Sequence, residues 1–553
     1  MQLNPKHLTL NGLLQGRLFR IPDYQRAYAW GSKQRKELFS DIIEVYKSGQ
    51  DHFMATVVGL MRDKRRIVAD EYQAVDVVDG QQRLTTLIIM FKAIEKALDP
   101  KKTDESKIKR EICELLVKGD DFALVLLQTN HDSSSIFIDY IRTGKISSGA
   151  PETIADKNLI AAERECEAFI QEWKSTSDLV ELVAILRNRL SLIYHELTDE
   201  STVYRVFEVL NSRGLDVKWI DKLKSQLMAL IFVNAESGAR LEALREMHVI
   251  WQNIYRTLGL RDSLGDEALR FAGTMRSKDQ PNRLLTEEDA TEALTKIAGS
   301  KLSSIVETAN WLHAVVCAVD KLDRDNRLRA VTRIVHARFV AAALLLRGFP
   351  PEVEKRLLGQ WEKVTFRIFG LGGADSRHKV GNYVSLGYDI MQKKIDDKGV
   401  VKRLKEMGKN YSIGEVLEGI DWNESYENWT EEVRYLLFRY DEHLAQESGE
   451  RLNEGQWNKI WAQDPSKSIE HITPRSSGFE YVHDIGNLTM LPPGVNSALG
   501  NRPPALKAPT YISCGIKETS AVGKTITEKG WNKRNVSERE KCIVEFVRAE
   551  WAN

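Results

Sequence analysis

The sequence predicts an α+β protein that is mostly helical, and three observations predict this class. Apolar residues recur at helical spacing through most of residues 104–190 and 217–365. Short apolar runs of strand length occur early in the chain, at residues 53–61, 74–78 and 191–197. A further pair of short strands flanks a turn between residues 468 and 488. Strands are therefore expected near both ends of the chain, with a helical region between them.

The composition is that of a globular protein without a global charge signal. The 553 residues correspond to about three to four domains. Lys plus Arg and Asp plus Glu each total 79, so any basic surface for a nucleic acid must be local. The five cysteines form no C-x-x-C pair, which argues against a zinc knuckle and favours reduced thiols. With no visible signal peptide or apolar run of membrane-spanning length, we expect a cytoplasmic protein with no membrane partner.

A late stretch brings together residue types that suit hydrolysis of a phosphodiester. It reads SIEHITP over residues 468–474, HDIGNL over 483–488, and reaches Asn496 after a further turn. Glu470 and the Asn496 amide offer the oxygen ligands that Mg²⁺ prefers. A general base should titrate near neutrality, which suits a histidine such as His471. This order matches a ββα-metal (His-Me finger, HNH) nuclease, whereas an isolated Glu-His pair would more often be a solvated surface pair.

An early stretch has the form of an anion site. The sequence IPDYQRAYAW covers residues 21–30, and DGQQRLTTL covers 79–87, directly after the strand at 74–78. The glycine turn opens a helix that continues to about residue 98, and the N-terminus of such a helix attracts anions. Asp79 could bind a metal or position a water, while Gln81, Gln82 and Arg83 could contact a base or a phosphate. In the alternative interpretation, Asp79 caps the helix and Arg83 pairs with it.

The remaining elements are predicted from the periodicity of apolar residues and from glycine-rich turns. We predict amphipathic or apolar helices at residues 33–48, 430–447 and 536–551, and a charged excursion at 62–71 between two strands. A glycine-rich loop at 370–379 carries Arg377, His378 and Lys379. It is either a solvated turn or a contact with a DNA backbone.

Residues 10–230 and 430–515 resemble GmrSD-type (type IV) modification-dependent restriction endonucleases. The resemblance lies in IPxYQRxYxW, VDGQQRLTTL, VFEVLNSRGL at residues 206–215 and DKLK at 221–224, and later in EHIxP, IGNL and Asn496. It implies an N-terminal domain related to the ParB/sulfiredoxin fold and a C-terminal His-Me finger (HNH) domain. We therefore expect a ParB-like nucleotide-binding or sensor domain (GmrS-type) at 1–230, a helical connecting domain at 231–425 and an HNH-type nuclease domain (GmrD-type) at 426–553.

The resemblance also assigns roles to individual residues. It implies that His471 is the general base, that Glu470 and Asn496 hold the metal, that Asn487 bonds the backbone across the turn, and that Lys507 contacts phosphate. The residues implied in nucleotide binding are Tyr24, Gln25, Arg26, Asp79, Gly80, Gln81, Gln82, Arg83 and Arg213. Two positions depart from the family pattern, because Glu470 stands where Asp is frequent and Arg475 where Gln is frequent.

The function expected on this basis is a nucleotide-regulated, metal-dependent DNA endonuclease of bacterial anti-phage defence. Its partners would be double-stranded DNA, in particular modified phage DNA, and a nucleotide. The cofactors would be Mg²⁺ or another divalent metal and an NTP, with GTP, ATP and CTP left open. A single His-Me finger cuts one strand per event, so a homodimer or successive nicking would be needed for a double-strand break. The alternatives are a nucleotide-hydrolysing DNA-binding switch or nickase, and a regulatory scaffold that uses both folds only for binding.

Overall fold

Two compact units make up the chain. The computed structural model describes residues 4–22, 25–118, 124–128, 134–146, 150–198, 218–331 and 333–552. The first unit comprises Met1–Arg276 and Leu285–Cys317, and the second comprises Ser277–Leu284 and Ala318–Asn553. The three-domain division at 230/231 and 425/426 stays a prediction.

The first unit is built on a mixed six-stranded sheet. Its strands are β1 (Asn4–Thr9), β2 (Arg17–Ile21), β3 (His52–Ile67), β4 (Asp70–Asp79), β5 (Leu126–Gln128) and β6 (Leu190–Leu197). Their order in the sheet is β1-β6-β3-β4-β2-β5. The pairs β1–β6 and β3–β4 are antiparallel, while β3–β6, β2–β4 and β2–β5 are parallel. Because parallel pairs need crossover connections, helices separate most of these strands along the chain.

Twelve helices lie in the described part of residues 4–324, and the first seven contribute to the hydrophobic core around this sheet. They are α1 (Leu10–Leu14), α2 (Ser32–Ser48), α3 (Gln81–Ala97), α4 (Thr103–Leu116), α5 (Ser134–Thr143), α6 (Ile154–Thr176), α7 (Leu179–Asn188), α8 (Trp219–Asn234), α9 (Ser237–Leu258), α10 (Asp262–Met275), α11 (Glu287–Ala298) and α12 (Leu302–Arg324). Helix α3 is buried along nearly its whole length, from Gln81 to Ile94. The motif at its N-terminus is consequently anchored to the centre of the first hydrophobic core.

The charged segment at residues 62–71 is part of the sheet, which corrects the predicted excursion. Strands β3 and β4 pair from Val58 with Asp79 out to Ile67 with Asp70. The exposed outer part of this hairpin carries polar and charged side chains, which obscured the apolar alternation expected of a strand. Two arginines stabilise its inner part, because Arg20 and Arg62 both donate to the buried carboxylate of Asp76 at 2.7 Å.

The second unit is helical and carries a small β-ribbon. Its helices are α13 (Asn326–Val331), α14 (Val335–Leu346), α15 (Pro351–Thr365), α16 (Val380–Met391), α17 (Asp397–Gly408), α18 (Ile413–Glu418), α19 (Ser425–Asn428), α20 (Thr430–Glu447), α21 (Glu454–Trp461), α22 (Pro493–Leu499), α23 (Pro504–Ser513), α24 (Lys517–Lys529) and α25 (Lys533–Glu550). A π-helical turn, Phe366–Leu371, extends α15. Strands β7 (Ile469–His471) and β8 (Leu488–Met490) form the antiparallel ribbon, and α22 follows it. The predicted α+β, mostly helical class is confirmed.

The basic loop at residues 370–379 contributes to packing in the second unit. The main-chain carbonyl of His378 lies 3.1 Å from Nε2 of His336. The side-chain Nε2 of His378 lies 3.2 Å from the Tyr411 hydroxyl. Arg377 is exposed. A DNA-backbone contact by this loop stays a prediction.

Helix α12 is the one helix among the described residues that is long and apolar enough to cross a membrane by length and composition. Half of its most apolar window is buried inside the structure. The helix contains no uninterrupted apolar run of that length, because Glu307, Asn310 and Asp320 interrupt it. Its buried half is what a core helix of a globular protein shows.

A buried ion pair joins α20 to α15 in the core of the second unit. Arg439 on α20 donates to Glu362 on α15 at 2.8 Å, and their side chains are 2% and 1% exposed. The same Glu362 oxygen accepts hydrogen bonds from the Tyr435 hydroxyl and, at 3.1 Å, from the Trp551 indole. The net value of such a pair is small, but either charge alone would be costly to bury.

Replacing Arg439 by Met should therefore destabilise the second unit strongly. The variant keeps a long apolar side chain but leaves the Glu362 carboxylate buried without its cation, which costs roughly 3–5 kcal/mol. The measurement is the free energy of unfolding from urea titration, followed by tryptophan fluorescence.

The matched control is Lys296→Met, which breaks an exposed pair with Glu292 on α11. Those side chains are 73% and 62% exposed, so we expect a change below about 1 kcal/mol. Equal effects of the two substitutions would contradict a special role of the buried pair.

Candidate functional site

Strand β7 places Glu470 and His471 next to each other but on opposite faces of the ribbon. Glu470 pairs with Thr489 and His471 with Leu488 on β8. Successive side chains of a strand alternate between faces. The acid and the imidazole can therefore act on one ligand only from different directions at the end of this strand.

The carboxylate of Glu470 is buried and already holds two donors. Its Oε1 lies 2.6 Å from Lys507 Nζ and accepts a 2.8 Å hydrogen bond from the Tyr511 hydroxyl. Burial raises the pKa of Glu470, and the charge of Lys507 and the two hydrogen bonds oppose this rise. Both side-chain contacts use Oε1, and the main-chain N–H of His471 also interacts with the carboxylate and opposes the rise.

Lys507 is positioned from α23 and points into the protein. It is 1% exposed, and its Nζ also donates to the main-chain carbonyl of His471 at 2.7 Å. In this position it fixes the end of β7 as well as neutralising Glu470. The phosphate contact expected of Lys507 stays a prediction.

His471 sits in a group of aromatic and charged side chains. Its Nε2 lies 3.3 Å from Nδ1 of His483, whose Nε2 lies 3.3 Å from a carboxylate oxygen of Glu427. The Tyr426 ring meets His471 edge-on at 4.4 Å and stacks on His483 at 5.6 Å. Burial, then the charge of Arg475, lowers the pKa of His471 to about 3. The imidazole is consequently neutral throughout the physiological range.

Asn487 holds together the two segments that meet at the ribbon. Its side chain is fully buried, and its Oδ1 accepts from the main-chain N–H of Thr473 at 2.9 Å. Its Nδ2 donates at 3.0 Å to the carbonyls of Thr473 and Val482. Asn487 therefore fixes the chain just after His471 and just before β8.

Asn496 lies on α22, beside the start of β7. Its Nδ2 donates to the carbonyls of Lys467 at 2.9 Å and Ile469 at 3.2 Å. With the amide nitrogen used in this way, Oδ1 is the atom available to a ligand. Asn496 is thus held next to the main chain that precedes Glu470.

The donor set of this group suits a hard cation. Among the described residues no three His, Cys, Asp or Glu side chains form a group that could hold a metal ion. Mg²⁺ needs no such cage, because it keeps several waters and binds through one or two carboxylates. The Glu470 carboxylate and Asn496 Oδ1 are ligands of that kind.

Three residues of this group were missed as site residues by sequence reasoning, namely Tyr426, His483 and Tyr511. His483 stands directly before the Asp-Ile-Gly-Asn segment, so its place in the motif was a usable signal. Tyr426 and Tyr511 lie on separate helices, α19 and α23. Nothing in their local sequence indicates contact with β7.

In the first unit, β4 runs through Asp79 into α3, and Gly80 makes the turn. Gly80 has a φ of +89° and is the N-cap residue of α3, without a side-chain cap. A Cβ at this position would come within 2.8 Å of Val57 Cγ2. The interpretation in which Asp79 caps the helix is therefore wrong. The first N–H groups of α3 lack a side-chain cap, which is the arrangement that attracts anions.

Three charged side chains gather at this turn. Burial raises the pKa of Asp79, against the opposing effects of the Gly80 N–H, Arg83 and Arg26. Burial also lowers the pKa of both arginines, although the carboxylate of Asp79 acts in the opposite direction on each. The Arg83 guanidinium lies over the Trp30 ring, 5.5 Å from its centre. Asp221 acts on Arg26 and Asp41 on Arg83 in the same direction as Asp79, so carboxylates partly neutralise both arginines at the start of α3.

The three glutamines predicted for this site differ in what they do. Gln82 accepts from the N–H of Ala29 at 2.7 Å and donates to the carbonyl of Ala27 at 3.0 Å. Gln25 donates to the carbonyl of Val78 at 2.9 Å. Both therefore fix the segment that carries Arg26. By contrast, the side-chain oxygen of Gln81 is buried and has no hydrogen-bond partner among the described residues.

Two residues predicted for the nucleotide site cannot be placed, and two further residues lie near it. Tyr24 and Arg213 lie outside the described residues. Lys224 on α8 is 2% exposed and donates to the carbonyl of Gln25 at 3.2 Å, and Asp221 accepts from the Tyr255 hydroxyl at 2.5 Å. Both belong to the DKLK motif, to which sequence reasoning gave no role. Their helix brings them to the segment around Arg26.

Comparison with known protein families matches both of these regions. The model of the GmrSD restriction endonuclease N-terminal domain matches residues 9–228, and the model of the C-terminal domain of GmrSD restriction endonucleases matches residues 413–546. A search of curated proteins found no match. The two matched regions contain the residues around α3 and the residues around β7. On these two matches, the chain belongs to the GmrSD family of restriction endonucleases.

Proposed function

We propose that this restriction endonuclease cuts DNA by metal-dependent hydrolysis at the C-terminal group, with His471 as general base. The observation that carries the proposal is the neutral, anchored imidazole of His471 at the end of β7, beside Glu470. The ribbon followed by α22 also agrees with a ββα-metal (HNH) arrangement.

The hydrogen-bonded chain around His471 selects which nitrogen is basic. If His483 donates from Nε2 to Glu427, its Nδ1 must accept, and His471 must then carry its proton on Nε2. The lone pair on His471 Nδ1 is thereby left for a proton from the attacking water. His483 acts as a positioning residue that holds the ring in this tautomer.

The Glu470 carboxylate and Asn496 Oδ1 would hold the divalent cation, with water in its other positions. Once bound, this cation would stabilise the charge that develops on the phosphate and the leaving oxygen. Asn487 keeps His471 and its neighbours in register, since it bonds both sides of the turn.

We further propose that the group at α3 binds a nucleoside triphosphate and hydrolyses it. The uncapped start of α3 and the arginines Arg26 and Arg83 suit phosphate oxygens. The unpartnered oxygen of Gln81 offers an acceptor to a base, a ribose or a water. To regulate cleavage, the nucleotide must bind a cleavage-competent and a cleavage-incompetent state of the protein with different affinities. The effect of GTP, ATP and CTP on cleavage distinguishes which nucleotide binds.

The biological setting proposed is anti-phage defence in the cytoplasm, against DNA that carries modified bases. The described part of the chain contains one ββα group, so one chain would cut one strand per event. This observation supports a second candidate, a nickase or nucleotide-driven DNA-binding switch whose double-strand cleavage requires a homodimer.

The first experiment is a cleavage assay on phage DNA with modified cytosines beside unmodified DNA of the same sequence. We expect cleavage of the modified DNA with Mg²⁺, no cleavage with EDTA, and a response to one of the three NTPs. His471→Ala should lower the rate by about 10²- to 10⁴-fold, the contribution typical of a general base.

The matched control is His443→Ala, which removes an exposed histidine of α20 in the same unit. It should cleave like the wild type. If His471→Ala and the wild type cleaved equally, the proposed cutting centre would be excluded. Nicked but not linear plasmid product would favour the nickase.

The pH dependence of cleavage follows from the lowered pKa of His471. Only the neutral imidazole accepts a proton, and a pKa near 3 keeps it neutral far below the ordinary value of 6.5. We therefore expect kcat/KM to stay level as the pH falls from 8 through 6.5, with its acid limb below that value. An acid limb centred at 6.5 or above would contradict this.

His483→Ala should lower kcat on the order of 10²-fold, because the ring of His471 loses the contact that fixes its tautomer. His483→Gln keeps a side-chain acceptor and should recover part of the rate. A purely structural role would instead lower the melting temperature in both variants and leave the pH profile unchanged.

Gln81 and Gln82 provide a paired test of the nucleotide site. Gln81→Leu removes an unpartnered oxygen, so we expect the free energy of unfolding to change by less than about 0.5 kcal/mol and nucleotide affinity to fall. Gln82→Leu removes hydrogen bonds to Ala27 and Ala29 and should cost about 1–3 kcal/mol. Urea titration and calorimetric nucleotide binding measure the two effects. Unchanged affinity in Gln81→Leu would count against contact with the nucleotide.

A further inference from the structure

A groove next to the C-terminal group is lined by aromatic rings that the cutting mechanism does not use. Its volume is about 760 Å³, within the range of ligand sites. Phe479, Tyr481 and Trp531 line it together with Thr473 and Lys533. All lie in the second unit, between the ribbon and the start of α25.

The first wall is a parallel pair of rings. Phe479 and Tyr481 stack with their centres 5.3 Å apart and their planes 8° from parallel. Phe479 is 54% exposed, an unusual position for a phenylalanine ring. A flat apolar face is thus presented to solvent in a fixed orientation.

The opposite wall is tied to the proposed cutting centre. The Trp531 indole donates to Asn487 Oδ1 at 3.2 Å, and the same oxygen accepts from the N–H of Thr473 at 2.9 Å. Thr473 is two residues after His471, so their Cα atoms are at most about 7 Å apart.

The rim of the groove carries a lysine whose exposed ion pair with a carboxylate is weak. Lys533 pairs with Glu480 through side chains that are 65% and 76% exposed. Arg534, the next residue on α25 and not itself part of the groove lining, pairs with Glu538 at 2.8 Å and is 85% exposed. Exposed pairs of this kind contribute little, so a DNA phosphate can replace the carboxylate partner at small cost.

We propose that this groove binds an unstacked nucleobase of the DNA strand being cut, near the scissile phosphate, with its face on Phe479. The occupant follows from continuity with the site that handles DNA and from the shape of the walls. Aromatic faces accept any base, because every base has a π-face. The inference rests on the proposed cutting centre at His471.

The test uses the full-length protein in EDTA and a single-stranded 15-nucleotide thymidine oligomer with one central 2-aminopurine. Stacking on an aromatic ring quenches 2-aminopurine fluorescence, and anisotropy of an end label reports affinity. For the wild type we expect quenching on binding. Phe479→Leu should bind about tenfold more weakly and lose the quenching, whereas Phe479→Tyr should retain both.

The matched control is Phe53→Leu, which replaces an equally exposed phenylalanine on β3 in the first unit. It should bind and quench like the wild type. Wild-type binding and quenching in Phe479→Leu would overturn the proposal, and so would equal losses in Phe479→Leu and Phe53→Leu.

Cleavage assays with Mg²⁺ separate this proposal from the one on which it rests. Full activity of His471→Ala would exclude the cutting centre, while the fluorescence measurement would still report whether a base stacks on Phe479. Loss of activity in His471→Ala together with unchanged activity and quenching in Phe479→Leu would leave the cutting centre intact and exclude the groove.

Discussion

The buried side chain of Asn487 is the contact on which the C-terminal site depends. It bonds both main-chain polar atoms of Thr473, a carbonyl at Val482 and the Trp531 indole. These groups belong to the segment after His471, the loop before β8 and the turn before α25. One amide thus satisfies buried backbone atoms that the short ribbon leaves without strand partners. Truncating it would unpair several of them at once.

A second buried network makes so small a ribbon stable. Two-stranded ribbons are marginal by themselves. Arg539 on α25 donates to the carbonyls of Gly486 at 3.0 Å and Leu488 at 2.6 Å, and pairs with Glu518 at 2.7 Å. Glu518 in turn accepts from the N–H of Met490 at 2.9 Å. Gly486 permits this approach, since a Cβ there would lie 2.2 Å from the Val536 carbonyl.

The candidate site of the first unit lies at the N-terminus of α3, a helix that is itself part of the hydrophobic core. Helix α3 is fixed by burial on nearly every side, so its N-terminus cannot move independently of the sheet. Gln25 and Gln82 then bind the segment around Arg26 to that fixed point. Within the described residues, the buried oxygen of Gln81 at this fixed point has no hydrogen-bond partner, and the proposed nucleotide would supply one.

The sequence by itself determined the class of the fold, most helices and strands, and the two motifs. These features depend on periodicity and on neighbours along the chain, which is why the strand-glycine-helix turn at Gly80 and the Glu-His strand were predicted where they occur. Only the tertiary structure showed that Tyr511 reaches Glu470 across 41 residues and that His483 meets His471 across 12. It also showed that the polar outer part of the β3–β4 hairpin is strand, because hydrogen bonding between strands and not apolar alternation holds it. Packing likewise decided which glutamine anchors the backbone and which has an oxygen without a partner among the described residues, since identical side chains differ only in the partners that the fold brings to them.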